Sequence, residues 1–236
     1  MHKIAIDPVM LERGRTNRNN RDRSFTHLDM KKVAHVVIDM QTAYLQPGSR
    51  CEVPIAREIV PNVNAISEAV RQGGGLNVFI RKTFNPNEAF PWNGWYSDLL
   101  GDSFSTDLKG LLTPGSETHE LWPEIDAAPG EQVVNKTRFS AFTHGTCDLH
   151  DLLQERGIDT VIITGTLTNF CSESSARDAN QLNYKVIFVS DGNAALTDEE
   201  HNATLGTLYT CWADVISTEQ VIELIASSSA KRDAAA

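Results

Sequence analysis

Residues 161–171 read VIITGTLTNFC, and SESSARDANQL follows directly at 172–182. The β-branched run at 161–164 has the form of a buried strand. Gly165 breaks it, and a turn of small and polar residues delivers Cys171 to the head of a helix-forming stretch. Strand, tight turn and helix are half of a βαβ unit. A cysteine at a helix N-terminus meets partial positive charge and unpaired N–H groups, and both favour its thiolate. That placement suits a nucleophile. The plainer alternative is a small core residue.

Outward from this stretch the same alternation repeats. Upstream, VAHVVID at 33–39 is an apolar run ending in an acid, the form of a central strand. The stretch 55–71 carries Ile59, Val63, Ile66 and Val70 near helical spacing and stops at three glycines, 73–75. Residues 76–80 predict a strand, and 84–130, rich in Pro, Gly, Trp and Asn, read mainly as long loop with short helices. A strand at 131–135 and a helix at 146–156 follow. Downstream lie a strand at 185–190, a helix at 198–211, a short strand at 214–216 and a helix at 219–225. Strands separated by helices of this length imply crossovers. The fold class is therefore α/β, a three-layer α-β-α arrangement around a mainly parallel sheet of roughly six strands, Rossmann-like.

No repeat or linker divides 33–227, which reads as one domain. Residues 1–32 form an N-terminal arm whose stretch RGRTNRNNRDR, at 13–23, is cationic and without periodicity. It is either a flexible arm or a segment crossing to an acidic neighbouring subunit. Residues 228–236 are low in complexity and expected to fray. The four cysteines, Cys51, Cys147, Cys171 and Cys211, are scattered with no CxxC pair, which fits a reducing, cytoplasmic setting. No apolar run approaches about 18 residues, and the start lacks a signal-peptide pattern. A net charge of −10 argues against nucleic acid or a membrane surface as partner. A small-molecule substrate is the remaining expectation.

In a parallel sheet, ligands bind beyond the carboxyl ends of the strands. Asp39, Lys136 and the 165–171 turn all fall at such ends. They supply an acid/base, a cation and a nucleophile. Alone, each has an ordinary explanation: a turn or cap residue, a solvated lysine, a core cysteine. Together at strand ends they outline a site.

The segments VVIDMQTAY at 36–44, VVNKTRFSAF at 133–142 and ITGTLTNFCSESSARDANQLNYKVIFVSDGNAA at 163–195 resemble the isochorismatase-like cysteine hydrolases. The resemblance implies Asp39, Lys136 and Cys171 as catalytic residues and a cis peptide at Thr166–Leu167. It also implies an oxyanion hole from the Leu167 and Cys171 N–H groups, a thioester intermediate, no cofactor, and assembly as a dimer or tetramer. Metal-dependent relatives carry histidines soon after the first acidic strand; this chain has none between His35 and His119. No metal is therefore expected. The quoted segments look most like the ureidoacrylate and biuret/triuret side, with Asn169 as in ureido-type relatives. Lys82 and Phe84 depart from the ureidoacrylate branch, which has an amide and a Trp there. The implied reaction is cleavage of a C–N bond in a small amide, carbamoyl or ureido compound. Maleamate, an N-carbamoyl amino acid, or a non-catalytic binding role are the alternatives.

The pocket wall is expected from Gln41 and Tyr44, one turn beyond Asp39, and from Phe139 and Phe142 after Lys136. Trp95, with Trp92 and Tyr96 in PWNGWY at 91–96, would close it, or else anchor a loop. Arg81 or Lys82 would pair with a substrate carboxylate, or sit solvated at a strand end. Arg177 and Asp178 suggest an ion pair, and His201 a helix or interface contact.

Overall fold

In the computed structural model, which describes residues 1–233 and side chains as far as Ser228, six strands form one sheet and every pair is parallel. In chain order they are β1 (Val33–Ile38), β2 (Leu76–Lys82), β3 (Gln132–Lys136), β4 (Thr160–Thr166), β5 (Lys185–Ala194) and β6 (Asp214–Ile216). Their spatial order is β3-β2-β1-β4-β5-β6. The chain builds outward in one direction from β1 and then, at β4, in the other. A crevice opens at such a switch, beyond the carboxyl ends of the two central strands.

The helices are α1 (Pro8–Asn17), α2 (Thr42–Leu45), α3 (Pro54–Glu58), α4 (Val60–Gly73), α5 (Asp102–Leu111), α6 (Leu149–Glu155), α7 (Glu173–Gln181), α8 (Asp198–Cys211) and α9 (Thr218–Asp233). Side-chain alternation sorts them into layers. Ala34, Val36 and Ile38 of β1, with Val78 and Ile80 of β2, pack against α6, α7 and α8. Val37 and Phe79 face α3 and α4, while Val33, Ile162 and Ile187 face α4 and α9. These strand residues are fully buried, the valine, isoleucine and phenylalanine side chains each contributing about 1.5–3 kcal/mol of transfer free energy. The three-layer parallel fold follows from that pattern.

Four departures from the sequence expectation have local causes. The helix expected at 55–71 is two, because Pro61 lacks an N–H and starts α4 afresh after Ile59. Strand β5 runs four residues past Ser190, to Ala194. It does so across an irregularity that the Asn193 amide spans, donating to Ile163 O at 3.0 Å and Val189 O at 2.8 Å. The N-terminal arm, one alternative for which was a flexible segment, is not loose: it packs on its own chain. Asp7 caps α1, which lies on α8 with Gly14 against Tyr209. Arg18 donates to Tyr209 O and Ala213 O at 2.6 and 2.8 Å and lies 3.6 Å from the Asp214 carboxylate, which accepts from Ser24 N and Phe25 N. Of the arm's arginines Arg13, Arg15 and Arg21 are exposed, while Arg18 is buried and satisfies carbonyls at the end of α8. The low-complexity tail is likewise helical to Asp233, and Ser228 accepts from Leu28 N at 2.9 Å. Residues 234–236 lie outside the described residues.

Candidate active site

Asp39 leaves β1 in the left-handed region, φ +50°, its N–H donating to Ile80 O at 3.0 Å. Beside it, β4 passes so close that a Cβ on Gly165, φ +121°, would sit 2.0 Å from Ile38 O. Only glycine permits that approach. From β3, Lys136 reaches across and its Nζ donates to Asp39 Oδ2 at 2.7 Å and to Arg138 O at 3.1 Å. Both partners are fully buried. Burial alone lowers the Lys136 pKa, but Asp39 and then Cys171 outweigh it and hold the ammonium above its ordinary value.

Cys171 follows the cis Thr166–Leu167 peptide in a wide π-type turn, Thr168–Ser172, that opens into α7. The turn is fastened from three sides. Leu167 O accepts from Phe170 N and Ser172 N, each at 3.1 Å. Ser175 Oγ donates to Cys171 O at 2.6 Å and accepts from Ala141 N at 3.0 Å. His201 sits 2.9 Å from both Thr168 Oγ1 and Ser190 O. Assigned from these partners, the His201 Nε2–H donates to Ser190 and Nδ1 accepts from Thr168. Burial first, then His2, lowers its pKa to about 4, so His201 is a neutral post for the turn.

Asp39 and Cys171 share the wall of a cavity of about 360 Å³, with Lys136 behind Asp39. The helix N-terminus favours a thiolate at Cys171, but the surroundings outweigh it. Burial, and next the Asp39 carboxylate, push the thiol up to about 12; Lys136 and Lys82 pull the other way and lose. The helix N-terminus offers a partial charge, which removal of water outweighs. Cys171 is therefore a neutral thiol beside a carboxylate whose Oδ1 is buried and has no hydrogen-bond partner within ordinary geometry among the described residues. Chemically, that arrangement can pass a proton from sulfur to oxygen once an electrophile arrives.

The expected wall residues separate into two groups. Tyr44, Lys82, Trp95, Phe139 and Leu167 line the cavity. Gln41 does not; its amide is spent on backbone, accepting from Lys82 N at 2.6 Å and donating to Lys82 O and His119 O at 3.1 and 2.7 Å. It clamps the end of β2 and so sets where Lys82 emerges. Phe84 stands behind the wall, edge-on to Tyr96 at 5.2 Å. Phe142 belongs to the core, against Tyr184 at 5.6 Å. Asn169 also lies off the wall, its buried Oδ1 unpartnered. Arg81 is engaged by Glu120 at 2.6 Å and Asn135 at 3.1 Å, and Arg177 pairs with Glu173 within α7.

Sequence reasoning missed the roof. Phe104 and Leu108 of α5, with Leu112 just after it, line the cavity beside Cys51 and Val53, and Arg50 and Glu52 also reach it. The four-residue spacing of those apolar positions was the available signal, hidden inside a stretch read as loop.

Residues 33–220 match the isochorismatase domain family. The chain is 30% identical over 202 residues to the isochorismatase family protein YwoC of Bacillus subtilis, covering 84% of this chain and 97% of that one. It is 30% identical over 169 residues to the ureidoacrylate amidohydrolase RutB of Caulobacter vibrioides, covering 66% of this chain and 74% of the other. A cysteine hydrolase of Pseudomonas syringae shares the fold with a TM-score of 0.76 at 24% identity, over 87% of this chain and 97% of that one. With a match running from the strand before Asp39 past the turn that carries Cys171, the chain belongs to the isochorismatase family.

Proposed function

We propose that the protein hydrolyses a C–N bond of a small amide, carbamoyl or ureido compound through a thioester on Cys171. The observation that carries this reading is the meeting of a buried Asp39–Lys136 pair and the Cys171 thiol at one cavity. The similarity to an enzyme named as a ureidoacrylate amidohydrolase supports the bond type.

The steps follow from the protonation states. As the substrate carbonyl seats against the sulfur, Asp39 takes the Cys171 proton and the thiolate attacks the carbonyl carbon. The Leu167 and Cys171 N–H groups face the oxygen as it becomes an anion. Collapse of the tetrahedral intermediate breaks the C–N bond, and Asp39 returns its proton to the departing nitrogen, releasing ammonia or an amine. Water then loses a proton to Asp39 and attacks the thioester; the sulfur leaves and recovers that proton. Lys136 stays charged throughout and holds Asp39 in position. Because the thiol starts neutral, no thiolate is exposed to oxidants between turnovers.

The test is ammonia or amine release over a panel of ureido, carbamoyl and simple amide compounds, with wild type and Cys171→Ala in parallel. Wild type turns over at least one compound, and intact mass shows an acyl adduct on Cys171 after rapid quenching. Cys171→Ala retains its circular dichroism and loses turnover. Hydrolysis at wild-type rate by Cys171→Ala refutes the reading.

A further inference from the structure

Lys82 ends β2 directly opposite Lys136 in the parallel register, so both side chains leave the sheet on the same face. Their surroundings differ sharply. Lys136 is neutralised by Asp39. Lys82, only 2% exposed, has no carboxylate partner among the described residues. Its Nζ donates to Thr137 O at 2.7 Å and rests over the rings of Trp92 at 4.6 Å and Phe139 at 5.7 Å. One of three N–H donors is thereby used. The acids nearby are committed: Asp39 to Lys136, and Glu88 to Arg138 at 3.0 Å. Burial first, and then the Lys136 charge, lower the Lys82 pKa to about 7; Cys171 and Asp39 raise it and Arg138 lowers it further. A buried ammonium held between a like charge and two aromatic faces is costly unless something anionic joins it.

Most of the rest of the wall is of the opposite character, and its one further carboxylate, Glu52, is engaged by Arg57 at 2.8 Å. Trp95, Phe104, Leu108, Phe139, Phe170 and Leu196 present rings and branched alkyl groups to the cavity. Benzene fills an apolar cavity of about 150 Å³. The volume of about 360 Å³ therefore leaves room for a ring or branched chain beyond the reacting amide. A compact, neutral, wholly polar ureide would leave both that surface and the Lys82 ammonium unmatched.

We propose that Lys82 is the specificity-determining residue for a carboxylate on the substrate, and that the substrate is an anionic amide or ureide with an aryl or branched-alkyl body. The carboxylate takes the two free N–H donors of Lys82, while the apolar body fills the space under α5. Arg50, at the mouth, already faces Asp107 at 3.7 Å and is exposed, so it is not the anchor. The inference rests on the hydrolytic reading only for which bond is cut.

The experiment is calorimetric titration of the full-length Cys171→Ala protein with phenylacetate, its neutral analogue phenylacetamide, and acetate. The readout is equilibrium affinity and not turnover, so the outcome stands apart from whether the wild type is a hydrolase. Phenylacetate binds about ten- to a hundredfold more tightly than phenylacetamide, the range one charge-assisted hydrogen bond supplies. Acetate binds more weakly than phenylacetate. Adding Lys82→Met erases the preference for the acid and leaves phenylacetamide affinity unchanged, Lys82→Arg keeps part of it, and Arg50→Met leaves it intact. Phenylacetate affinity falls as pH rises above neutrality, whereas phenylacetamide affinity does not. Equal affinity for acid and amide, no binding of any probe, acetate matching phenylacetate, or a preference that survives Lys82→Met or follows Arg50 instead overturns the proposal. Should Lys82→Met fail to fold, the acid–amide comparison and Lys82→Arg still decide it.

Discussion

Lys136→Met keeps most of the side chain's apolar stem, one atom shorter, and deletes its charge. What is left behind is an Asp39 carboxylate, 0% exposed, whose Oδ2 has lost its partner and whose Oδ1 had none among the described residues. Breaking a buried pair from one side costs about 3–5 kcal/mol, since the surviving charge keeps its desolvation penalty and loses the attraction that offset it. For a chain of this size each kcal/mol moves the melting temperature by roughly 2–4 °C, so the variant melts about 6–20 °C lower. Adding Asp39→Asn removes the stranded charge. Asn also tolerates the left-handed backbone at position 39, φ +50°, where a branched apolar residue would be strained. Asp39→Asn Lys136→Met therefore regains most of the lost stability, and the double-mutant cycle shows a coupling near the upper end of the usual range, about 3 kcal/mol. Hydrolysis is absent from all three variants, because a neutral residue 39 takes no proton from Cys171 and an unanchored Asp39 takes it in the wrong place. Urea denaturation with linear extrapolation measures the cycle, and ammonia release measures the chemistry. Additivity within about 0.5 kcal/mol refutes the energetic argument. A double variant that is active refutes the mechanism.

Three further outcomes rest on other parts of the structure. Gly165→Ala forces a Cβ against Ile38 O in a region of φ closed to L-residues, so it destabilises by at least about 3 kcal/mol; a wild-type melting curve for it contradicts the close approach of β4 to β1. Iodoacetamide labels Cys171 slowly at neutral pH, and its rate keeps climbing well above pH 9, since the thiol is held up to about 12; a labelling rate that levels off below pH 8, read by peptide mass, contradicts a neutral resting thiol. Burial holds His35 at about 3 and His201 at about 4, below the ordinary 6.5. As pH falls through 6.5 the unfolded chain takes up these protons and the folded chain does not, so each site removes about 1.4 kcal/mol of stability per pH unit until its folded pKa is reached. A melting temperature that is flat from pH 7 to pH 4.5 excludes that linkage.

The sheet was legible because a parallel strand buried on both faces must be apolar throughout, and VAHVVID, VIITG and KVIFVS have little other use. The place where Asp39, Lys136 and Cys171 meet was legible for a related reason: Asp39 and Cys171 come after β1 and β4, Lys136 ends the partly buried edge strand β3, and parallel strands end on one edge. What lay off the strands was not. Phe139 and Phe142 stand three residues apart after Lys136, and nothing local separates them; packing turns Phe139 toward Trp92 and Trp95 and Phe142 toward Tyr184. Gln41 offers a donor and an acceptor near the site, chemistry equally suited to a ligand or to stray backbone, and the bare N–H and C=O at the end of β2 claim both. The arm misled because Arg18 looks the same on paper whether it meets water or the carbonyls of Tyr209 and Ala213. The sulfur shows the limit most clearly. A helix N-terminus is a local feature that a sequence can display, whereas desolvation is the sum of everything packed around the site. Local charge alone argues for a standing thiolate; the buried site argues for a resting thiol, so the proposed hydrolysis depends on the carboxylate at position 39 to take the proton from Cys171.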